Sequence, residues 1–343
     1  MPERDDSVRL TQVIGEASSS RQRLSIVGSG SKPWLSAPIE GQLLSVAEHT
    51  GIIEYRPEEL VITARSGTPL REINQLLAQH RQRLPFEPPC FRGLGTLGGA
   101  VAAGIAGPAR PWCGSVRDAV LGVEMVNGLG ERLTFGGQVM KNVAGYDLSR
   151  LQVGAMGTLG LLLSVSVRVS PEPQVERTQV LELSADDAVG TMRRWARVSL
   201  PITATCYIDG LLHVRLSGAE SSVLSGADGV GGKVWDDPLF WATVRDRELA
   251  LFKTVDPLWR ISCPPAALLP ATDVALEWGG AQRWWRTSMP EDEVLAYAES
   301  VAGVAQRAWS SPVFTTPHMH RLKQAFDPHD VLNSGLVHAD AAA

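Results

Sequence analysis

The sequence predicts an α+β protein of two domains. Strand-like and helix-like segments alternate from Asp5 to about Gly160, which favours a first domain built from both kinds of element. The segment SPEPQ, Ser170–Gln174, then interrupts this pattern with two prolines, and eight of the ten tryptophans follow it. The length of 343 residues is enough for two domains of ordinary size.

The spacing of apolar residues and the residues typical of helix and strand ends predict the first elements. They are a helix in 7–18, a strand in 23–27 that leads into a glycine loop, a strand in 60–67 and a helix in 68–80. Thr68 is the expected N-cap of the last helix, with Pro69 at its first helical position.

A hairpin and a strand complete the first domain. Residues 119–135 predict the hairpin, in which Asn127 and Gly128 are expected to supply the positive φ angles of a tight turn. Apolar and polar residues alternate in 161–169, which predicts a half-buried strand with Ser164 and Ser166 on its exposed face.

The remaining chain predicts a second α+β domain and a tail. Residues 202–216 have the pattern of a hairpin, and 320–335 that of a helix followed by a turn. The expected domains are 1–171, 172–310, and a C-terminal segment, 311–343, that returns to the first domain.

Composition excludes several classes of protein. The net charge is −5 and there is no block of Lys or Arg, which argues against nucleic-acid binding. No apolar run reaches the roughly 18–20 residues of a membrane span, and the charged N-terminus is unlike a signal peptide, so we expect a cytoplasmic protein. The four cysteines lack metal-ligand spacing and the histidines are sparse, so we expect no metal site.

Three glycine-bearing segments point to a ligand. They are Gly28–Lys32, the stretch GLGTLGGAVAAGIAG at Gly93–Gly107, and Val153–Gly160. The second has six glycines between apolar residues, so it is unlike a solvated linker, and positive φ angles or close approach to the backbone are expected there, notably at Gly98. Backbone N–H groups in such loops bind anions, and pyrophosphate is the natural guest.

Neither common nucleotide-binding fingerprint fits these loops. Gly93–Gly98 matches G-x-G-x-x-G, but the proline-rich segment PFEPPCFR precedes it where a Rossmann strand should stand. Lys32 also lacks the spacing of a Walker A lysine.

Taken in order, the segments resemble the FAD-binding domain of the vanillyl-alcohol oxidase and para-cresol methylhydroxylase (PCMH) family. The resemblance spans about Leu24–Val169 and the tail, and in closer detail it is to the FAD-binding subunits of bacterial glycolate oxidases. The segments that carry it are IVGSGSKPW, FRGLGTLGGAVAAGIAGPARPWCGSVRDAVLGVEMVNG, MKNVAGYDLSRLQVGAMGTLG, EWGGAQRWWR and FDPHDVLNSG. It implies a two-subdomain PCMH-type FAD-binding domain followed by a smaller α+β, cap-like domain.

The resemblance also implies cofactor-binding residues. One group would wrap the FAD pyrophosphate: Gly28, Ser29, Gly30, Ser31 and Lys32. A second would run past the pyrophosphate and flavin, with its last two members packed on the cofactor: Gly95, Thr96, Leu97, Gly98, Gly99, Ala103 and Gly104. A third would close over the adenosine side: Gly157, Thr158, Leu159 and Gly160.

Two departures from the family pattern shape the expected function. No histidine lies near the phosphate loops and Cys113 is expected to be inert, so we expect non-covalent FAD. The H-x-H-G-D-G motif that relatives acting on 2-hydroxy acids usually carry is absent, and both Arg283 and Arg286 beside Trp284-Trp285 and the pair His318 and His320 have structural explanations. The catalytic residues therefore stay unassigned.

Three functions remain open. The preferred one is an FAD subunit of a glycolate oxidase complex that carries electrons from 2-hydroxy-acid oxidation. Its partners would be a second flavin subunit and an iron–sulfur subunit, which would also bring it to the inner face of the membrane, and its complex would act on a small 2-hydroxy acid such as glycolate. The alternatives are a self-sufficient flavin oxidase in which Arg286 or Tyr207 is catalytic, and a cofactor-free scaffold.

Overall fold

A computed structural model describes residues 3–35, 41–137, 147–253, 256–270, 274–310 and 316–337. Residues 140–146 of the motif MKNVAGYDLSRLQVGAMGTLG lie outside this part. The strands are β1 (Leu24–Val27), β2 (Gln42–Ser45), β3 (Ile52–Arg56), β4 (Val61–Arg65), β5 (Gln82–Arg83), β6 (Val120–Val126), β7 (Arg132–Gly136), β8 (Leu161–Arg168), β9 (Ser170–Pro171), β10 (Val175–Glu182), β11 (Ile202–Ile208), β12 (Leu211–Gly218), β13 (Lys233–Val234), β14 (Leu258–Ser262), β15 (Val274–Glu277), β16 (Gln282–Arg286) and β17 (Val304–Arg307).

The helices are α1 (Ser7–Ser20), α2 (Leu70–Gln79), α3 (Leu97–Ala103), α4 (Arg110–Cys113), α5 (Val116–Ala119), α6 (Leu148–Leu151), α7 (Ala185–Trp195), α8 (Glu220–Val230), α9 (Phe240–Arg245), α10 (Glu291–Ser300) and α11 (Pro317–Phe326). The chain divides into two compact units. The first comprises Met1–Ile105, Ser115–Pro171 and Ser311–Ala343, and the second comprises Ala106–Gly114 and Glu172–Ser310. The segment Ala106–Gly114 thus groups with the second unit, although it lies inside the first domain expected from the sequence.

The first unit is built on an antiparallel sheet of order β3-β4-β8-β6-β7. β8 lies at its centre and is covered on both faces, so the prediction of a half-buried strand is wrong. Ser164 and Ser166 are 8% and 7% exposed. Ser166 Oγ lies 2.8 Å from Thr63 Oγ1, so the hydroxyls that were expected to face solvent form a hydrogen bond instead.

β1 is held between β2 and the C-terminal tail. It pairs in parallel with β2, and Leu24 bridges Leu332 on its other side. The N–H of Leu24 donates to the Val331 carbonyl at 2.7 Å, and the N–H of Asn333 donates to the Leu24 carbonyl at 3.0 Å. The apolar core beneath includes Leu10 and Ile14 of α1. This pairing fixes the strand from which the first glycine loop leaves.

Two local predictions are corrected. Pro69, not Thr68, is the N-cap of α2, because the Thr68 hydroxyl bonds to the backbone of Gly51. The β6–β7 hairpin also has a longer turn than expected. Its positive φ lies at Gly130, while Asn127 closes the loop by accepting hydrogen bonds from the N–H groups of Leu129 and Glu131.

The second unit is an eight-stranded antiparallel sheet of order β13-β10-β12-β11-β15-β16-β14-β17. Apolar residues of α7 and α8 pack on one face of β11 and β12. Apolar residues of α10 pack on the same face of the sheet at β14 and β16. Since successive strand residues point to opposite faces, Arg260 and Glu277 lie on the other face. This second face carries polar and aromatic groups.

Candidate functional site

A cleft in the first unit brings together all three glycine segments. It encloses about 910 Å³ of space, part of it open to solvent. Eleven of the sixteen predicted cofactor residues line it: Gly28, Ser29, Gly30, Ser31, Lys32, Thr96, Gly98, Gly99, Ala103, Gly157 and Gly160. We call it the glycine cleft.

The loop after β1 supplies donors and one positive charge. Within the described part of the chain, the N–H groups of Gly28, Ser29, Gly30 and Ser31 donate to no protein acceptor. Gly30 has φ 69°, in the left-handed region that favours glycine. Lys32 Nζ lies 3.4 Å from Ser31 Oγ and 5.5 Å from the ring centre of Phe91. Unpaired N–H groups next to an ammonium group suit an anion.

The second glycine segment turns into α3 beside this loop. Thr96 caps the helix, because its Oγ1 accepts from the Gly99 N–H at 3.2 Å. A Cβ on Gly28 would lie 2.9 Å from Thr96 Oγ1, and one on Gly99 would lie 3.0 Å away from it. Both glycines thus leave room for the threonine hydroxyl.

Gly98 is needed for close packing and not for its backbone angle. Its N–H donates to the Ser66 carbonyl at 2.8 Å, and an added Cβ would lie 2.5 Å from Ser66 Cβ. Gly98 is absent from the positive-φ residues, so the expected positive φ is wrong. The close neighbour is the chain just after β4.

The tail reaches the cleft through Asn333. Its Oδ1 accepts from the Ile26 N–H at 2.7 Å, and its Nδ2 donates to the Met156 carbonyl at 2.7 Å. A Cβ on Gly157, which has φ 72°, would lie 2.9 Å from Asn333 Nδ2. Asn333 therefore ties β1, the strand that leads into the first glycine loop, to the third glycine segment.

Five of the predicted residues do not line the cleft. Leu97, Thr158 and Leu159 are buried in the first unit, and Thr158 Oγ1 donates to the Ala155 carbonyl at 2.7 Å. Gly95 packs on Leu70, and Gly104 ends α3 with φ 63° against Gly154.

Sequence reasoning missed three polar residues of the cleft: Ser66, Gln152 and Asn333. Gln152 and Asn333 stand inside segments that carried the family resemblance, but nothing in those segments separates a side chain that faces a ligand from one that faces the core. Ser66 lies near the end of the predicted strand in 60–67, and nothing in the sequence around it marks it as a ligand-binding residue.

The candidate residues of the second unit and the tail are mostly structural. Arg283 is fully buried and donates to the carbonyls of Ala267 and Gly280 and to the Tyr297 hydroxyl. Tyr207 is buried and donates to a backbone carbonyl. His318 and His320 lie on α11 and not on a strand, so residues two apart point in different directions.

The polar face of the second sheet holds an arginine cluster, defined as Arg110, Arg247 and Arg260. The guanidinium carbons of Arg110 and Arg260 lie 4.5 and 5.4 Å from the ring centre of Trp278. That of Arg247 lies 4.8 Å from the ring of Trp284. These stacks place several cations close together.

Among the described residues, Glu277 is the acidic group whose charge acts on both Arg247 and Arg260. Burial and then repulsion from Arg260 lower the pKa of Arg247 to about 10, and burial likewise lowers the pKa of Arg260. Burial raises the pKa of Glu277, whose carboxylate accepts a hydrogen bond from Gln282 Nε2. A cluster of this charge favours an anion.

Across the described ranges, no group of three or more His, Cys, Asp or Glu side chains is placed to hold a metal ion. Within the same ranges, no helix is long and apolar enough to cross a membrane.

The chain is similar in sequence to known FAD-binding and glycolate oxidase proteins. The FAD binding domain family matches residues 5–136. The chain is 42% identical over 348 aligned residues to glycolate oxidase subunit GlcE of Escherichia coli K12, with 98% of each chain covered. It is 34% identical to glycolate oxidase subunit GlcD of Bacillus subtilis 168, over 46% of this chain and 34% of that one.

A solved structure of alkyldihydroxyacetonephosphate synthase has a TM-score of 0.67 to this chain at 14% identity, covering 94% of this chain and 73% of the other. At that identity the likeness concerns the fold alone. The predicted fold class, a PCMH-type FAD-binding domain followed by a smaller α+β domain, is confirmed.

Proposed function

The chain belongs to the family of glycolate oxidase subunit GlcE, and on this premise we propose that it holds FAD non-covalently in the glycine cleft and passes electrons within its complex. Its cofactor is FAD, and it is an FAD-dependent oxidoreductase subunit of a multi-subunit glycolate oxidase. One observation carries the assignment of the cleft: three glycine segments that are far apart in the sequence line it together.

The groups of the cleft fit a dinucleotide. The N–H groups of Gly28–Ser31 and the Lys32 ammonium would hold the pyrophosphate. The Thr96 hydroxyl, for which Gly28 and Gly99 leave room, belongs to a residue of the same lining. The apolar side chains of Leu161 and Leu162 add apolar surface to the same lining. FAD, when bound, supplies an acceptor for a hydride or for electrons.

The lining also supports non-covalent attachment. Among the described residues that line the cleft there is no His, Cys or Tyr side chain, the types that would bond to the flavin ring. Cys113 lies in α4 of the second unit and is not part of this lining. We expect the mass of the denatured chain to equal that of the polypeptide alone, and a mass increased by one flavin would contradict this attachment.

We further propose a second flavin subunit and an iron–sulfur subunit as partners, and peripheral membrane association through them. The B. subtilis relative GlcD, itself a glycolate oxidase subunit, supports the first partner. The cysteines are scattered, and Cys206 and Cys263 are buried, which supports a cluster held by another chain.

The test is a comparison of glycolate-dependent reduction of an artificial acceptor by the isolated chain and by the co-expressed subunits. We expect FAD in both preparations and turnover only in the second. Turnover by the isolated monomeric chain at the rate of the complex would contradict the proposal.

The arginine cluster favours one second candidate, a self-sufficient oxidase whose substrate carboxylate binds in the second unit. Arginine pairs strongly with carboxylates, and this cluster has more positive charge than Glu277 balances. If this candidate is correct, Arg260→Gln raises the KM for glycolate of the isolated chain while the exposed control Arg193→Gln does not. The cofactor-free scaffold is excluded because the cofactor is FAD.

A further inference from the structure

Two buried polar side chains of the glycine cleft have an atom without a partner. Ser66 is 1% exposed and Gln152 is 3% exposed. In the part of the chain that the structure describes, Ser66 Oγ and Gln152 Nε2 form no hydrogen bond. Both residues line the cleft.

An unpaired buried polar atom is costly. Leaving a buried donor or acceptor unsatisfied costs about 1–3 kcal/mol, and proteins pair the large majority of such groups. Several residues of the cleft lining, among them Ala102, Ala103 and Leu162, offer no side-chain partner. The missing partner of each atom is therefore best supplied by whatever occupies the cleft.

Hydrogen bonds attach the chain beside each of the two residues to a different position of α3. At its start, the Gly98 N–H donates to the Ser66 carbonyl at 2.8 Å. Further along the helix, the segment just after Gln152 is attached, because the Gly154 N–H donates to the Val101 carbonyl at 3.0 Å. Gly98 and Val101 are three residues apart, a rise of about 4.5 Å at 1.5 Å per residue, so the two side chains reach the cleft from two separate segments of the chain.

We infer that Ser66 Oγ and Gln152 Nε2 form hydrogen bonds to the FAD of this cleft, Ser66 from beside the second glycine segment and Gln152 from beside the third. This inference rests on the proposed function, since it takes the glycine cleft as the FAD site. The Gln152 amide nitrogen is only a donor, so it requires an acceptor atom. The Ser66 hydroxyl can donate or accept.

The first test measures FAD affinity in the full chain by titration followed through flavin fluorescence. Ser66→Ala and Gln152→Leu each remove one polar group at nearly constant shape. We expect each to weaken FAD binding about tenfold, which corresponds to about 1.4 kcal/mol.

Matched controls remove buried polar groups elsewhere. Gln179 in the second unit is 5% exposed and also has an unpaired side-chain atom, its Oε1, but it does not line the cleft. Ser166 in β8 is bonded to Thr63. We expect Gln179→Leu and Ser166→Ala to leave FAD affinity within about twofold of the unmodified chain, whatever they do to stability.

The second test compares thermal midpoints with and without FAD. Without FAD, Gln152→Leu should melt at or above the temperature of the unmodified chain, because the variant no longer buries an unpaired amide. With saturating FAD it should melt below the unmodified chain. A purely structural role for Gln152 would lower both midpoints and would overturn the inference for this residue.

Competition by ADP locates the contact of Gln152. Weakened ADP binding in Gln152→Leu assigns the contact to the adenosine half, and unchanged ADP binding with weakened FAD binding assigns it to the flavin half. Unchanged FAD affinity in both variants would overturn the inference while leaving the FAD site intact. An unmodified chain that binds no FAD would instead overturn the proposed function.

Discussion

At Gly98 a single missing Cβ atom decides how closely two parts of the chain approach. A side chain there would lie 2.5 Å from Ser66 Cβ and 2.9 Å from the Ser66 carbonyl oxygen, so the start of α3 would have to move. We predict that Gly98→Val destabilises the protein by about 1–3 kcal/mol, as overpacking does, and releases most of its FAD. Denaturant titration and the flavin-to-protein ratio measure the two effects.

Gly15 is the matched control for this substitution. It lies within α1, and a Cβ on it would meet nothing within 4 Å. Gly15→Ala should gain about 0.5–1 kcal/mol of stability with full flavin content, because alanine favours the helix. A Gly98→Val protein with normal stability and normal flavin would show that α3 does not pack on Ser66 in this way.

His213 makes stability depend on pH. It is 2% exposed and stacks on Phe240 with ring centres 4.0 Å apart, and neither ring nitrogen has a hydrogen-bond partner in the described residues. Burial lowers its pKa below the usual 6.5. The unfolded chain thus binds a proton more readily than the folded one, and stability falls as pH drops below about 6.5.

The buried His49 has a lowered pKa for the same main reason and contributes in the same range. We predict that His213→Phe reduces the slope of unfolding free energy against pH between 6.5 and 5, a slope of at most about 1.4 kcal/mol per pH unit for each histidine. Denaturant titrations at several pH values measure it. An unchanged slope in the variant would mean that His213 is protonated in the folded protein.

Among the elements, α11 and the turn after it are joined to each other and to the rest of the first unit by a buried ion pair, Lys323 and Asp327, and its hydrogen bonds. We call this arrangement the clamp. Lys323 Nζ lies 2.6 Å from Asp327 Oδ2 and donates to the carbonyls of Thr158 and Leu332 at 3.1 and 2.6 Å. Asp327 in turn accepts from the N–H groups of Val331 and Leu332. Both charged side chains are buried, at 4% and 1% exposure.

We predict that Lys323→Met costs about 3–5 kcal/mol, because it leaves the Asp327 carboxylate buried without its cation. The double variant Lys323→Met with Asp327→Asn should recover part of this loss, since the uncompensated charge is gone. Thermal and denaturant unfolding measure both variants, with the exposed Lys233→Met as a control within about 0.5 kcal/mol. A single variant as stable as this control would contradict the clamp.

How far the sequence predicted each element depended on what its residues contact. The amphipathic α2 and the glycine loop after β1 follow from local periodicity and turn chemistry, so they were found. The burial of β8 depends on its neighbours β4 and β6, and no local pattern reports a central position in a sheet. The N-cap of α2 was missed for the same reason, because Gly51 binds the Thr68 hydroxyl.

The sequence also predicted part of the candidate site. Glycines mark places where backbone must approach backbone or a ligand, so eleven predicted residues line the cleft. Gln152 and Ser66 are recognised only through the absence of a partner, which is a property of the folded surroundings.

For the molecule as a whole, the proposed function depends on the glycine cleft holding FAD without a covalent bond. Ala103 lines this cleft and is half-buried, so Ala103→Trp would fill the space while leaving the core intact. The most direct measurement is the amount of FAD released by acid precipitation, per chain, from the unmodified protein and from this variant. We predict about one FAD per chain in the supernatant of the unmodified protein and almost none from the variant, with unchanged circular dichroism. Flavin retained in the washed pellet, or full flavin content in Ala103→Trp, would contradict it.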